Sequence, residues 1–203
     1  MYNNESNFEK YLSEIDNFFW VNKIALISHF QDPKSTSEID EVFQNLQLPL
    51  RDDVKKLYLW KNGISDLFSK KNGEIELFPN GIMMPLELSS SLYILDCRVN
   101  KFYGKWYFPL FTSGAGDFLL INLEIDSSDF GKIYLYSPAI LMSSELMTIF
   151  DSIEALFLSV LELYKSGVYK FDQKDKTLEI DYDLEREVII KNNPNSEFWF
   201  SNK

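Results

Sequence analysis

The sequence is poor in the side chains that most often bind metal ions or act as nucleophiles. Among its 203 residues there is one cysteine, Cys97, and one histidine, His29. A single cysteine cannot form an intramolecular disulfide, and a single histidine cannot build a histidine-rich metal centre or a zinc-protease helix. A Cys97–His29 nucleophile pair is conceivable, but neither residue has a flanking sequence typical of one. We expect both residues to be structural, and we predict no metal, no cofactor and no enzymatic activity.

Long uninterrupted apolar runs are also missing. The most membrane-like stretch, Leu146 to Tyr164, contains Asp151, Glu154 and Glu162, and its apolar residues follow a helical period. The first residues, Met1 to Glu5, lack the basic and apolar regions of a signal peptide. Because cysteine is also scarce, we predict a cytoplasmic protein without a transmembrane segment.

Basic side chains are outnumbered. The chain has 20 Lys and Arg against 31 Asp and Glu, which gives a formal net charge of −11. Such a charge repels nucleic acid phosphates and anionic membranes and attracts basic partners. We therefore predict no direct contact with nucleic acid or membrane, and a partner that is itself basic.

Hydrophobic residues make up 45% of the chain and aromatic residues 16%, enough for a sizeable core. Apolar segments recur along the whole length without a linker rich in glycine, serine or proline. We therefore predict one domain over residues 1–203, with an N-terminal helical part at residues 1–47.

Helical patterns dominate the first third of the chain. Residues Phe8 to Phe30 predict one or two helices, and Ser35 with Glu38 has the spacing of a capping box before an amphipathic helix. A further helix is predicted from Leu48 to Gly63, with Pro49 in its first turn. Its apolar stripe comprises Leu50, Val54, Leu57 and Tyr58, and Asn62-Gly63 provides the end signal.

Short β-like runs follow, separated by turn residues. They predict a mostly antiparallel sheet from about Glu74 to Tyr136, with strands at Glu74 to Phe78, Gly81 to Leu86, Trp106 to Phe111, Asp117 to Leu123 and Lys132 to Tyr136. Between them, Ser89 to Asn100 predicts a short helix, although Tyr93 and Ile94 also suit a strand.

Two elements are predicted near the C-terminus. A capping-box pattern at Asp151 and Glu154 begins a helix that ends at Gly167. The alternation from Thr177 to Leu184 predicts a strand with one apolar face and one acidic face. The acidic face would present Glu179, Asp181 and Asp183 together to a basic partner.

Several motifs occur in a fixed order along the chain, and each has an ordinary structural interpretation. Tryptophans pack in cores with a hydrogen-bonded indole, and Asp117 can either cap a turn or present its carboxylate to a partner. The motif residues are Pro49, Tyr58, Trp60, Asn62, Gly63, Trp106, Pro109, Gly116, Asp117, Asn193, Pro194 and Trp199.

In joint order and spacing these motifs resemble the SUKH superfamily (Smi/Knr-type), which contains bacterial toxin-immunity proteins and fungal cell-wall regulators. The resemblance covers residues 48–203. It leaves the N-terminal part unmatched, and Ser196 stands where a glycine is more usual.

The resemblance implies an α+β fold, with N-terminal helices, a central sheet and the late helix packed over it. It also implies an immunity protein that binds and neutralises a cognate bacterial toxin, often a nuclease. The acidic composition agrees with this function, and Glu179, Asp181 and Asp183 become candidate toxin-binding residues. The alternatives are a regulatory or scaffold module of the same fold, and an unrecognised enzyme, which would need a concave pocket with clustered carboxylates. The oligomeric state stays open.

Overall fold

A five-stranded antiparallel sheet lies at the centre of the α+β fold. The computed structural model describes residues 7–65, 67, 72–143 and 145–201, so Met1 to Glu5, for which no signal peptide was predicted, lie outside it. The strands follow one another in the sheet in chain order. They are β1 (Ile82–Met83), β2 (Tyr107–Thr112), β3 (Phe118–Asn122), β4 (Ile133–Tyr136) and β5 (Met147–Phe150).

The N-terminal helices confirm the prediction for this part of the chain. They are α1 (Phe8–Val21), a 3₁₀ turn (Ala25–His29), α2 (Thr36–Leu46) and α3 (Asp52–Trp60). Ser35 and Glu38 form the predicted capping box of α2. The predicted place of Pro49 is wrong, because Arg51 is the N-cap of α3 and Pro49 lies in the connection before it.

The first two predicted strands differ from the structure: the one at Glu74 to Phe78 is wrong, and the one at Gly81 to Leu86 is reduced to the two residues of β1. Residues 72–75 form the short helix α4 (Asn72–Ile75), and Phe78 makes only an isolated bridge to Gly81. Asn80 has a φ of 58°, so the chain reverses here and the two predicted runs make a tight turn. After β1, Pro85 caps α5 (Leu86–Leu92), which continues as a π-helix (Tyr93–Val99) and confirms the helical prediction for this segment.

Pro109 lies inside β2, although proline cannot donate a ladder hydrogen bond. The pairing of β2 with β3 shifts register between Pro109 and Phe111, and a bulge is where a sheet accepts proline. After β4, Ser137 caps the short helix α6 (Pro138–Leu141). Strand β5 was not predicted from the sequence, and it pairs with β4 at the edge of the sheet.

The late helix α7 (Ile153–Ser166) confirms the prediction, including its end at Gly167 in the left-handed conformation. Its N-cap is Ser152, whose side chain accepts a hydrogen bond from Ala155 N, and not Asp151 as predicted. The aromatic ring of Phe157 on α7 contacts those of Phe8 and Trp60, with centroids 5.3 and 5.8 Å apart. Phe157 also lies 6.4 Å from the ring of Phe111 in β2, so helix α7 joins the N-terminal helices to the sheet.

The predicted strand from Thr177 to Leu184 is wrong in its second half. A hairpin of β6 (Tyr169–Asp172) and β7 (Thr177–Ile180) ends at Ile180, and α8 (Tyr182–Asn192) and α9 (Glu197–Ser201) follow. Asp181 is the N-cap of α8, and its carboxylate accepts from Leu184 N at 3.2 Å. Among the described residues, no helix has the length and apolar character needed to cross a membrane.

Candidate interaction site

A cavity of about 420 Å³ lies between the central sheet, α7 and the C-terminal helices. Its walls are mainly apolar and come from several elements of the fold. They include Leu119 of β3, Leu135 of β4, Phe150 of β5, Leu156 and Leu163 of α7, and Ile189 of α8. A volume of this size is within the range of pockets that bind small ligands or inserted side chains.

The cavity opens to solvent beside α6 and the start of α8. Ile140 and Tyr182 line it and are 54% and 70% exposed. Asp117 and Asp183, two residues singled out from the sequence, also line it. So does Trp199 of the C-terminal motif from Asn193 to Trp199, which we call the tail motif. The structure therefore brings together three predicted site residues that are far apart in the chain.

Asn193 of the tail motif fastens the C-terminal helices over the sheet. Its side chain is fully buried and donates to Ser159 Oγ at 3.1 Å and to Ile189 O at 3.0 Å. Its Oδ1 accepts from Asp151 N at 3.0 Å. Because all of these polar groups are paired inside the protein, the motif fixes the position of α8.

The residues after Asn193 extend this fastening. Asn195 donates to the Asp151 carboxylate through its backbone N and its side chain, at 3.3 and 3.0 Å. Ser196, where a glycine is more usual in the resembling family, is buried and donates to Thr148 O at 3.3 Å. Pro194, between these residues, is exposed.

Trp199 is held at the cavity through its backbone. Arg186 donates to Trp199 O from Nε and Nη2 at 3.1 and 2.8 Å. The indole Nε1 of Trp199 is buried and has no acceptor among the described residues. An unpaired buried N–H costs free energy, so this donor is available to an acceptor that a ligand would bring.

A buried carboxylate lies in the same cavity. Glu185 of α8 is 3% exposed and accepts a hydrogen bond from the hydroxyl of Tyr169. Burial raises the pKa of Glu185, and the hydrogen bond from Tyr169 opposes this shift. Burial, together with the neighbouring Glu185, also raises the pKa of Tyr169.

We expect Glu185→Gln to stabilise the protein at neutral pH. The folded-state pKa of Glu185 lies above its ordinary value of 4.5, so the stability linked to this group is present below 4.5 and is lost as the pH rises through the folded pKa. The variant removes this loss, and its advantage in unfolding free energy should therefore grow from acid to neutral pH. Urea denaturation of both proteins across this range measures it. Tyr169→Phe removes the hydrogen bond that opposes the shift, so it should increase the stability that is lost between acid and neutral pH. If the advantage of Glu185→Gln did not change with pH, a raised pKa of Glu185 would be contradicted.

Asp117 has a structural role in the hairpin between β2 and β3. Its carboxylate accepts hydrogen bonds from Ser113 Oγ, at 2.9 Å, and from the hydroxyl of Ser137. Ser137 also caps α6, so Asp117 ties the hairpin to the helix that places Ile140 at the cavity mouth. Gly116 lies in this hairpin with a φ of 103°. Of the two interpretations left open by the sequence, these contacts favour the turn-holding one.

The motif around α3 builds the scaffold away from this cavity. Tyr58 is fully buried and its hydroxyl donates to Ser89 Oγ at 3.2 Å. Asn62 is also buried, and its Oδ1 accepts from Leu86 N, the first residue of α5, at 2.9 Å. Trp106, directly before β2, has the Lys105 ammonium 4.3 Å from the centre of its ring. None of these residues is among those that line the cavity in the described chain.

The three candidate carboxylates do not share one strand face. Glu179 lies on β7, Asp181 caps α8 and Asp183 lies in the first turn of that helix. All three are exposed, and Asp183 lines the cavity. They remain close in sequence, but the continuous strand that would have grouped them on one face is absent, because β7 ends at Ile180.

The two residues considered as a nucleophile pair lie in different elements. His29 is half-buried at the end of the 3₁₀ turn, with Nε2 3.5 Å from Glu74 Oε1. Cys97 is buried in the π-helix, and burial raises the pKa of its thiol. Within the described residues, no group of three histidine, cysteine or carboxylate side chains is placed to hold a metal ion.

Sequence reasoning missed the side chains that give the cavity its chemistry, namely Tyr169, Glu185 and Arg186. The missing step was helix α8, for which the sequence does contain signals. Asp181 is a favourable N-cap residue, and Asn193-Pro194 marks a helix end. The alternation of apolar residues up to Leu184 favoured a strand instead, so the start of the helix at Asp181 was not recognised.

One comparison with known families gives a match. The family described as SMI1 / KNR4 family (SUKH-1) matches residues 33–159, more than half of the chain. The matched range includes the motif residues from Pro49 to Asp117. It begins before the predicted boundary at Leu48 and ends within α7, so the tail motif at Asn193 to Trp199 lies outside it. No curated protein matches the sequence.

Proposed function

The chain belongs to the SMI1/KNR4 family (SUKH-1), and on this basis we propose that it is an immunity protein, which binds a cognate bacterial toxin in the cytoplasm and neutralises it by direct contact. The family match is the observation that supports this proposal most strongly. The net charge of −11 agrees with it, because a nuclease toxin needs a basic surface for its own substrate and an acidic inhibitor can compete for that surface.

The direct test uses the product of the gene adjacent to the one encoding this chain. If that product is toxic, co-expression of this chain should restore growth, and the two purified proteins should form a stable complex. Restoration of growth without a complex would contradict neutralisation by contact. A complex with a non-toxic neighbour would favour a regulatory or scaffold module. Turnover that disappears when one carboxylate is replaced would favour an enzyme.

Charge should act mainly on the rate of association. We expect Glu179→Gln, Asp181→Asn and Asp183→Asn together to slow association with a basic toxin about threefold to tenfold at low salt, because exposed charges steer the encounter of two proteins. Dissociation should change less. Asparagine is also a good N-cap residue, so Asp181→Asn preserves the start of α8.

Stopped-flow association at several salt concentrations measures this effect. The matched control replaces three other exposed carboxylates, Glu41→Gln, Glu124→Gln and Asp126→Asn, and changes the net charge equally. If the first set reduces the rate and its salt dependence more than the control, the C-terminal carboxylates lie near the interface. If the first set leaves the rate and its salt dependence unchanged, they belong to a solvated surface away from the toxin.

A further inference from the structure

Among the described residues, the buried carboxylate of Glu185 has no cationic partner. In this part of the chain its hydrogen bond comes from the neutral hydroxyl of Tyr169. The nearest cation in sequence, Arg186, donates from Nε and Nη2 to the backbone carbonyl of Trp199. A carboxylate in an apolar cavity without a cation destabilises the fold, so its presence at this site calls for a functional reason.

The charges around the cavity determine which ligands fit. Besides Glu185, the charged residues that line it are Asp117, Asp183 and Arg186, so carboxylates outnumber cations. A fatty acid or another anionic ligand would be repelled. A second copy of this chain is disfavoured too, since each copy has a net charge of −11. A basic protein satisfies both the apolar walls and the acidic lining.

We propose that the cavity accepts a lysine or arginine side chain from a basic partner protein. The apolar stem of that side chain packs against walls such as Leu135, Leu156 and Ile189, and its cation pairs with Glu185. The entry is between Ile140 and Tyr182, two exposed hydrophobic residues of the lining.

Trp199 supplies a second point of recognition at the same cavity. Its buried Nε1–H has no acceptor among the described residues, and a backbone carbonyl that enters with the inserted side chain can accept from it. A row of three aromatic rings leads from the cavity to the surface, with the buried Tyr136 in the middle. The ring of Phe118 stacks on that of Tyr136 with centroids 6.5 Å apart, and Tyr136 stacks on the half-exposed Phe102 at 6.4 Å. Residues that flank the inserted cation would pack on Phe102, the exposed end of this row.

This inference deepens the proposed function, and its first test needs no toxin. The probes are the pentylammonium ion, pentanol and the pentanoate ion, which share a chain length and differ in charge. Binding is followed by NMR at the Trp199 indole N–H, assigned by its absence in Trp199→Phe. We expect pentylammonium to bind at least about tenfold more tightly than pentanol, no binding of pentanoate, and loss of the preference for the cation in Glu185→Gln.

Glu185→Gln is a suitable variant because it is expected to fold and to be more stable than the parent. Equal binding of pentanol and pentylammonium would show an apolar pocket without a cation site. An unchanged preference for the cation in Glu185→Gln would show that Glu185 is not the group that pairs with the cation. Either result would overturn the inference.

The second test uses the toxin partner. Glu185→Gln should weaken the complex about tenfold or more, and the matched control Glu124→Gln, at an exposed carboxylate, should not. Ile140→Arg at the mouth should likewise weaken the complex, whereas Ile125→Arg, at a 64% exposed residue outside the cavity, should not. If the parent protein binds the toxin and all four variants bind it equally well, the toxin does not use the cavity. The proposal of a cation site for the toxin then fails, while the proposed function stands. If the parent does not bind the toxin, the proposed function fails and the alkylammonium experiment decides the cavity by itself.

Discussion

Replacing Gly63 by alanine should destabilise the protein by about 3–5 kcal/mol. Two physical effects combine at this position. Gly63 has a φ of 70°, a left-handed conformation that costs a residue with a Cβ about 1–2 kcal/mol. A Cβ added here would also lie 2.3 Å from the backbone carbon of Met84, and backbone cannot move aside as a flexible side chain can.

The close approach at Gly63 comes from its place between two other segments. Its carbonyl accepts from Gln31 N at 2.9 Å, and the next residue, Ile64, donates to Met83 O at 2.9 Å. Relief of the clash would therefore break backbone hydrogen bonds on at least one side.

Gly116 offers a matched control for this substitution. It also has a positive φ, 103°, but an added Cβ would have no atom within 4 Å. Gly116→Ala should therefore lose only the conformational term, about 1–2 kcal/mol. Chemical denaturation of both variants measures the difference. Equal losses would show that strain in φ, and not the approach of Met84, makes glycine necessary at residue 63.

Trp60→Ala should also destabilise the protein by about 3–5 kcal/mol, the range for truncation of a large packed aromatic residue. Trp60 joins three parts of the fold. Its ring lies 5.3 Å from that of Phe30 and 5.8 Å from that of Phe157, and its Nε1 donates to Asp16 Oδ2 at 2.8 Å. Loss of the side chain leaves a cavity and removes the partner of a carboxylate oxygen.

Two further variants separate these contributions. Trp60→Phe keeps an aromatic ring and loses the hydrogen bond, so it should lose less stability than Trp60→Ala. Trp20→Ala removes a tryptophan that is 74% exposed on α1, and its unfolding free energy should stay within about 0.5 kcal/mol of the parent. A Trp60→Ala variant as stable as Trp20→Ala would mean that the contacts of Trp60 contribute little to the fold.

The sequence predicted correctly those features that depend on residues close together in the chain. Ser35 and Glu38 form their capping box within a single turn, and Gly167 ends α7 through its own backbone conformation. Neither depends on distant residues, so the pattern in the sequence was sufficient. The strands β2, β3 and β4 also coincide with three of the predicted runs, because their apolar runs are bounded by turn residues, although their hydrogen bonds come from neighbouring strands.

Predictions failed where a neighbour in space decides the outcome. The alternation up to Leu184 suits a strand, but β7 pairs with β6 only as far as Ile180, and Asp181 then caps a helix. Strand β5 was missed because four residues at an edge gain their structure from pairing with β4. Pro49 was assigned to a helix that begins only after the capping residue Arg51.

By itself, the sequence determined the α+β class, the family resemblance and the acidic charge, because each follows from residue type and spacing along the chain. Tertiary structure alone decided the site. Tyr169 comes from β6, Glu185 from α8 and Trp199 from α9, and Asn193 holds the last two helices over the sheet. A cavity is formed by surfaces from separate elements, and a buried carboxylate is unusual only because of what surrounds it. No periodicity along the chain encodes that environment, which arises when the elements pack together.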